Sequence, residues 1–208
     1  DPQDPRDDTG HPPKCRLEAL QARISLVIAL AVAVAGAAAA FHYAGAGLTL
    51  SHYDARAHLV VARRILDSLT PGWQQIGAVW LPLPHVLDMI PVQFDWCYRT
   101  GASGVAISIA SMAIAAWALA SLIVRTTGST SGAITGAALL LLNPDVLYLQ
   151  STPMTEPLLF ALSSAGHRFA WTSPALYAMP SHAVVRLVEL MPTWLSVIMC
   201  PMPLDAPI

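Results

Sequence analysis

Three long apolar stretches of this chain contain no charged side chain, and a loop with several charged residues separates the first two. The uncharged stretches cover residues 24–50, 100–124 and 126–144. A helix needs about 20 mostly apolar residues to cross the core of a bilayer. The pattern predicts an all-α membrane protein with three spans, at about 24–50, 101–124 and 132–149. Asn143-Pro144 is expected to kink or end the third span, since proline cannot continue the backbone hydrogen bonding of a helix.

The two ends of the chain differ from this membrane domain, which we place at residues 24–165. Residues 1–23 form a polar, charged leader that proline interrupts, and we predict that it is disordered and cytoplasmic. A fourth span begins at about Leu158 but soon meets Arg168. Residues 166–208 are rich in proline and methionine, so this tail is atypical and is interpreted as the product of a truncated or frame-shifted gene, or as a poor fourth span with an interfacial segment.

The outer loop, residues 51–100, carries most of the candidate chemistry. Its first part, residues 51–69, has an apolar stripe at helical spacing and a polar side that holds Asp54 and His58, four residues apart. The pattern predicts an amphipathic helix on the membrane surface. Ser51 and Asp54 have the spacing of a capping box at its start.

The second part of the outer loop is aromatic and rich in proline. It contains Trp73, Trp80 and Trp96, and tryptophan favours the boundary between membrane and water. Pro82 and Pro84 are expected to prevent a regular helix there. We therefore expect this part to follow the membrane surface as an irregular segment.

Composition supports a membrane location and excludes some function classes. The 208 residues are 55% hydrophobic and only 12% charged, against about 25% charged in an average soluble domain. The net charge of −2 gives no basic surface for nucleic acid. The three cysteines are widely spaced, so neither a disulfide framework nor a zinc site is indicated.

The length of the first apolar stretch favours a retained helix over a cleaved signal peptide, whose apolar region is about 7–15 residues. Basic residues flank the two faces almost equally. Arg23, at the edge of the first span, favours a cytoplasmic N-terminus, which places the outer loop outside. The expected location is the bacterial inner membrane.

The order of the motifs resembles a known family. An acid follows the first span, then a surface helix, a Trp80-x-Pro82-Leu-x-His85 segment, two further spans, and Pro153-Met-Thr-Glu156-Pro157. This order is similar to the N-terminal part of the C-type glycosyltransferases that use polyprenyl-phosphate sugars, such as the protein O-mannosyltransferases and lipid A aminoarabinose transferases. The resemblance covers about residues 24–165. It implies further membrane helices and a lipid-linked sugar donor.

The resemblance also implies roles for two acids, Asp54 and Glu156, as catalytic residues. Family members often carry two adjacent acids at the first position, whereas this chain has Tyr53-Asp54. Glycosyl transfer needs a base for the acceptor and charge stabilisation for the leaving phosphate. The candidate substrate-binding residues are Arg56, His58, Arg63, Arg64, Trp80 and His85. A divalent metal ion held by Asp54 with His52 or His58 is a further interpretation of the same loop.

Each candidate also has a purely structural interpretation. Asp54 and Glu156 suit the starts of helices, where an acid faces the positive end of the helix dipole. The arginines suit lipid headgroups, the tryptophans suit membrane anchoring, and the histidines suit interfacial hydrogen bonding. A non-catalytic membrane protein, either a transporter fragment or a scaffolding subunit, is therefore the alternative to an N-terminal glycosyltransferase fragment.

Overall fold

The computed structural model describes residues 14–76 and 80–172, and the regular secondary structure of these residues is entirely helical. The predicted all-α fold is confirmed for this part of the chain. The predictions for residues 1–13 and 173–208 lie outside the described residues. All contacts discussed below lie within residues 14–168.

Two helices in the described part of the chain are long and apolar enough to cross a membrane. The first, α1, covers Lys14–Gly45, and the second, α5, covers Ala102–Thr127. Helix α1 begins earlier than the predicted span, and residues 14–23 are helical. This stretch follows the last proline of the leader and is rich in residues that favour a helix. Helix α1 ends earlier as well, in a turn where Gly47 has a φ of +72°.

Helix α6 covers Thr130–Leu141, and with α1 and α5 it forms the core of the described chain. Ile28 of α1 packs with Ala120 and Val124 of α5, and two alanines of α6 complete this cluster. Of the small residues on α5, Gly104 and Ser108 face inwards, whereas Ala106 and Ala110 are exposed. The close approach expected from small residues therefore occurs on one face of α5 only.

The third predicted span consists of two shorter helices. Helix α6 covers Thr130–Leu141 and α7 covers Pro144–Leu149. Between them, the Asn143 side chain accepts hydrogen bonds from the backbone N–H groups of Asp145 and Val146, which caps α7. The expected break at Asn143-Pro144 is confirmed, and each piece is shorter than a continuous span needs.

The described residues of the outer loop, 51–76 and 80–100, fold into three short α-helices and two single turns of 3-10 helix. The α-helices are α2 (Tyr53–Arg64), α3 (Pro82–Asp88) and α4 (Asp95–Thr100), and the 3-10 turns cover Trp73–Ile76 and Pro91–Gln93. Helix α2 buries its apolar side against the protein, where Leu59 and Ala62 pack with Val92. The N-cap residue of α2 is His52, and its Nδ1 accepts a hydrogen bond from the Asp54 backbone N–H at 3.3 Å. The capping box predicted at Ser51 and Asp54 is therefore wrong.

Helix α3 also corrects the sequence analysis, because Pro82 and Pro84 lie inside a regular helix. Both prolines occupy its first turn. The N–H groups of a first turn have no partner within the helix, so proline costs nothing there, and its fixed φ suits a helix start. The consequence is that His85 and Asp88, three residues apart, lie on one side of a helix.

Helix α8 covers Glu156–Thr172 and begins two residues before the predicted fourth span. The connection that precedes it is buried, with Gln150, Ser151 and Thr152 having no exposed surface. A buried connection needs partners for its backbone. Ser108 of α5 supplies them by donating to the carbonyls of Thr152 (2.9 Å) and Met154 (3.2 Å).

Candidate functional site

A small pocket lies where the outer loop meets the first turns of α5 and the connection before α8. It has an empty volume of about 290 Å³, part of it open to solvent. Its lining comes from four parts of the chain: His58 of α2; Pro84, His85 and Asp88 of α3; Gly104 and Ile107 of α5; and Pro153, Met154 and Thr155. The outer loop and the Pro153 connection, distant in sequence, therefore share one site.

Two histidines form the polar wall of this pocket. His58 Nδ1 lies 3.1 Å from His85 Nε2, and both side chains are buried. His85 Nδ1 lies 2.8 Å from the carbonyl oxygen of Leu81, the N-cap residue of α3. Helices α2 and α3 thus present one histidine each to a common hydrogen bond.

Burial controls the protonation of this pair. Burial and, to a smaller extent, the neighbouring His85 together lower the pKa of His58 to about 4, against the opposing effect of Asp54. Burial also lowers the pKa of His85, against the opposing effect of its hydrogen bond to Leu81. Both imidazoles are neutral at physiological pH, so each ring has one donor and one acceptor nitrogen.

Trp80 packs on the histidine pair from outside. Its ring lies edge-on to His58, with centroids 4.4 Å apart, and its centroid is 6.3 Å from that of His85. The structure therefore brings together three of the predicted substrate-binding residues. Their proximity could not be read from the sequence, where 22 to 27 residues separate His58 from the other two.

Asp88 is a site residue that the sequence analysis missed. Only 6% of its surface is exposed, and its Oδ1 has no hydrogen-bond partner among residues 14–76 and 80–172. Burial raises the pKa of Asp88, and the nearby Ser103 hydroxyl lowers it by a smaller amount. The only available signal was its spacing from His85, which the incorrect assignment of Pro82–Pro84 as irregular concealed.

The opposite wall of the pocket depends on a glycine. A Cβ atom at Gly104 would overlap the Pro153 side chain and lie 3.0 Å from Pro153 Cα. Glycine therefore lets the connection before α8 lie directly against α5. This contact places Met154 and Thr155 opposite the histidines.

The two predicted catalytic acids lie at the edges of this arrangement. Asp54 is one helical turn before His58, is partly exposed, and lies 3.9 Å from His52 Nδ1. Glu156 directly follows Thr155 of the pocket lining and begins α8. Its Oε2 is buried and has no hydrogen-bond partner within the described ranges.

The three predicted phosphate-binding arginines have different surroundings. Arg63 is engaged by Asp67 (3.1 Å) and Asp95 (2.9 Å), and its guanidinium lies 4.6 Å from the centre of the Tyr98 ring. Arg56 donates to the Leu50 carbonyl at 2.6 Å. Arg64 is exposed, and none of the three lines the pocket.

The predicted metal site would use Asp54 together with His52 or His58. Asp54 and His52 are neighbours, and His58 is paired with His85. Across the two described ranges, no three His, Cys, Asp or Glu side chains are grouped closely enough to hold a metal ion. Divalent ions usually need at least three protein ligands, so a metal role for Asp54 and His58 stays a prediction.

No protein-family model, curated protein or solved structure matches this chain.

Proposed function

We propose that this chain is the N-terminal part of an integral membrane glycosyltransferase that moves a sugar from a polyprenyl phosphate to an acceptor outside the membrane. One observation carries the proposal. The two segments on which the resemblance rests, around residues 51–88 and 153–157, meet at a single pocket. Segments about 70 residues apart in sequence have no local reason to converge on the same cavity.

The membrane arrangement in this proposal goes beyond the two long apolar helices. We place three to four spans in the bacterial inner membrane, with the N-terminus in the cytoplasm and the outer loop outside. The broken pair α6 and α7 supplies the third span, because α6 and α7 together cover residues 130–149. The pocket then lies at the outer surface, where a lipid-linked sugar and an acceptor can meet.

The proposed chemistry uses the acids at the edges of the pocket. The acceptor oxygen forms a bond to the anomeric carbon of the sugar while the bond from that carbon to the phosphate oxygen breaks. Asp54 or Glu156 takes the proton of the acceptor, as a general base does. Arg56 and Arg64 provide positive charge for the leaving phosphate, while Trp80, His58 and His85 contact the substrate.

Consumption of a radiolabelled donor tests this proposal. Membranes containing the gene product that carries this chain are incubated with polyprenyl phosphates bearing mannose, glucose, arabinose or aminoarabinose. We expect loss of at least one donor, and we expect Asp54→Asn and Glu156→Gln to slow that loss by at least about 100-fold, a typical general-base contribution. Asp67→Asn is the matched control, because Asp67 is an exposed acid of the same loop and Arg63 keeps Asp95 without it.

Two outcomes would contradict the proposal. If no donor is consumed, the assignment to the glycosyltransferase class fails. If a donor is consumed equally fast after Asp54→Asn and Glu156→Gln, the assignment of the catalytic acids fails.

A non-catalytic membrane protein is the alternative function. The interrupted helix at Asn143 favours it, since transporters often have broken helices at their binding sites. Movement of a labelled lipid-linked sugar across vesicles containing the protein, without cleavage of the sugar, would support this alternative over the enzyme.

A further inference from the structure

We propose that Asp88 is a substrate-binding residue whose side chain hydrogen-bonds a hydroxyl group of the sugar carried by the lipid donor. This inference rests on the proposed function and deepens it. It assigns a role to a residue that the family resemblance leaves without one.

The carboxyl group of Asp88 lacks a hydrogen-bond partner at one of its oxygens within the described part of the chain. Buried polar groups almost always have a hydrogen-bond partner, and leaving one unpaired costs about 1–3 kcal/mol. Asp88 Oδ1 has no such partner among the residues that the structure describes, although the side chain is 94% buried. A ligand group in the pocket would supply the missing bond.

The space beside Asp88 is the pocket itself. The residue lines the pocket together with His58, His85 and Gly104, and an added Cβ at Gly104 would lie 3.7 Å from Asp88 Oδ2. The enclosed part of this space is small, so it suits a single polar group such as a hydroxyl of a larger ligand that lies at the open side of the pocket.

The polar groups of the pocket lining match a hydroxyl group better than a phosphate. The pocket contains a carboxyl group, two neutral imidazoles and no basic side chain in its lining. A hydroxyl group both donates and accepts hydrogen bonds, so it matches a carboxyl and neutral imidazoles, whereas a phosphate would find no positive side chain in this lining to balance its charge. The same lining disfavours the phosphate end of the donor and favours its sugar.

Kinetics of Asp88 variants provide the first test. Asp88→Asn keeps an oxygen and a donor in place, so we expect the donor KM to stay within about threefold of the wild type. Asp88→Leu keeps the branching of the side chain but has no polar atom, so kcat/KM for the donor should fall about 10- to 100-fold, through KM. Asp67→Leu, an exposed control, should leave both constants unchanged.

Chemical labelling provides a second readout that does not need turnover. A hydrophobic carbodiimide reacts with protonated carboxyl groups in apolar surroundings, and mass spectrometry locates the product. We expect Asp88 to be labelled in the full-length protein, and protected by at least one of the four sugar-bearing polyprenyl phosphates. Polyprenyl phosphate without a sugar should give no protection.

The outcomes separate this inference from the proposed function. Protection without donor consumption supports the binding role of Asp88 and contradicts the transferase. Donor consumption with unchanged kinetics in Asp88→Leu, or equal protection by the sugarless lipid, overturns the binding role. Failure of every sugar-bearing lipid to protect also overturns it and leaves the neighbouring Ser103 hydroxyl, which is itself buried without a partner among the described residues, or a bound water as the partner of Asp88. Circular dichroism and thermal unfolding of both variants check that loss of folding does not cause the kinetic change.

Discussion

His85 fixes which nitrogen of His58 is free to act. The Leu81 carbonyl only accepts hydrogen bonds, so His85 Nδ1 carries the proton in their 2.8 Å contact. His85 is neutral, so its Nε2 is an acceptor and His58 Nδ1 must donate across the 3.1 Å between them. His58 Nε2 is then left with a free lone pair beside the pocket, and it can accept a proton or a hydrogen bond from a ligand.

Replacing His85 should therefore destabilise the outer loop. In His85→Phe the ring volume is nearly retained, but the buried Nδ1–H of His58 loses its acceptor. We expect the free energy of unfolding to fall by about 1–3 kcal/mol, measured by denaturant titration in detergent. His167→Phe, at an exposed position of α8, is the control and should change little. Equal stability of the two variants would show that the pair does not contribute to folding.

The pH dependence of stability follows from the lowered pKa of His58. Its folded pKa is about 4 and its unfolded pKa is about 6.5, so the unfolded chain binds more protons between these values. Stability is therefore full above pH 6.5 and falls as the pH drops towards 4. We expect the unfolding temperature of the wild type to fall more steeply over this range than that of His58→Gln. Parallel curves for the two proteins would contradict the shift.

Asp88 should make stability depend on pH in the opposite direction to His58. Burial raises its pKa above the ordinary value for a carboxyl group, so the unfolded chain releases this proton at lower pH than the folded one. The stability associated with its protonated form is lost as the pH rises. We expect Asp88→Asn to raise the unfolding temperature at pH 8 and to have a smaller effect at pH 4. A larger gain at pH 4 than at pH 8 would show that the carboxyl is ionised without penalty.

The contact between Gly104 and Pro153 should tolerate no side chain. In Gly104→Ala the new Cβ overlaps Pro153, so the connection before α8 must move or the helices must separate. We expect a loss of about 1–3 kcal/mol, the usual cost of overpacking, together with weaker donor binding. Gly166→Ala is the matched control, because that Cβ would meet nothing within 4 Å and alanine favours a helix. A fully stable Gly104→Ala protein would contradict the close packing.

The proposed topology places the two ends of α5 on opposite sides of the membrane. With the native cysteines replaced by serine, we expect Asp67→Cys to react with an impermeant maleimide added outside intact cells. Ser129→Cys, in the short connection after α5, should react only after the membrane is opened. Labelling of both from the same side would show that α5 does not cross the bilayer.

The sequence by itself determined the helical class of the described residues and the position of α5, whereas α1 begins at Lys14 rather than near residue 24. Helix α5 is found within a few residues of its predicted ends, and the break at Asn143 lies where proline requires it. These features depend on composition and on interactions between residues a few positions apart, which a sequence displays directly. The irregular conformation expected at Pro82–Pro84 was wrong, since the same proline chemistry also allows a helix to begin there.

Only the tertiary structure decided which polar residues share a site. His58, His85 and Asp88 meet Met154 and Thr155 because Gly104 allows α5 and Pro153 to touch, and because α3 starts at Pro82. The sequence also indicated Asp54, Arg63 and Arg64 as site residues, but none of the three lines the pocket. The physical reason is that such contacts depend on how closely segments that are distant in sequence pack. At Gly104 a hydrogen atom in place of a methyl group allows α5 to contact Pro153.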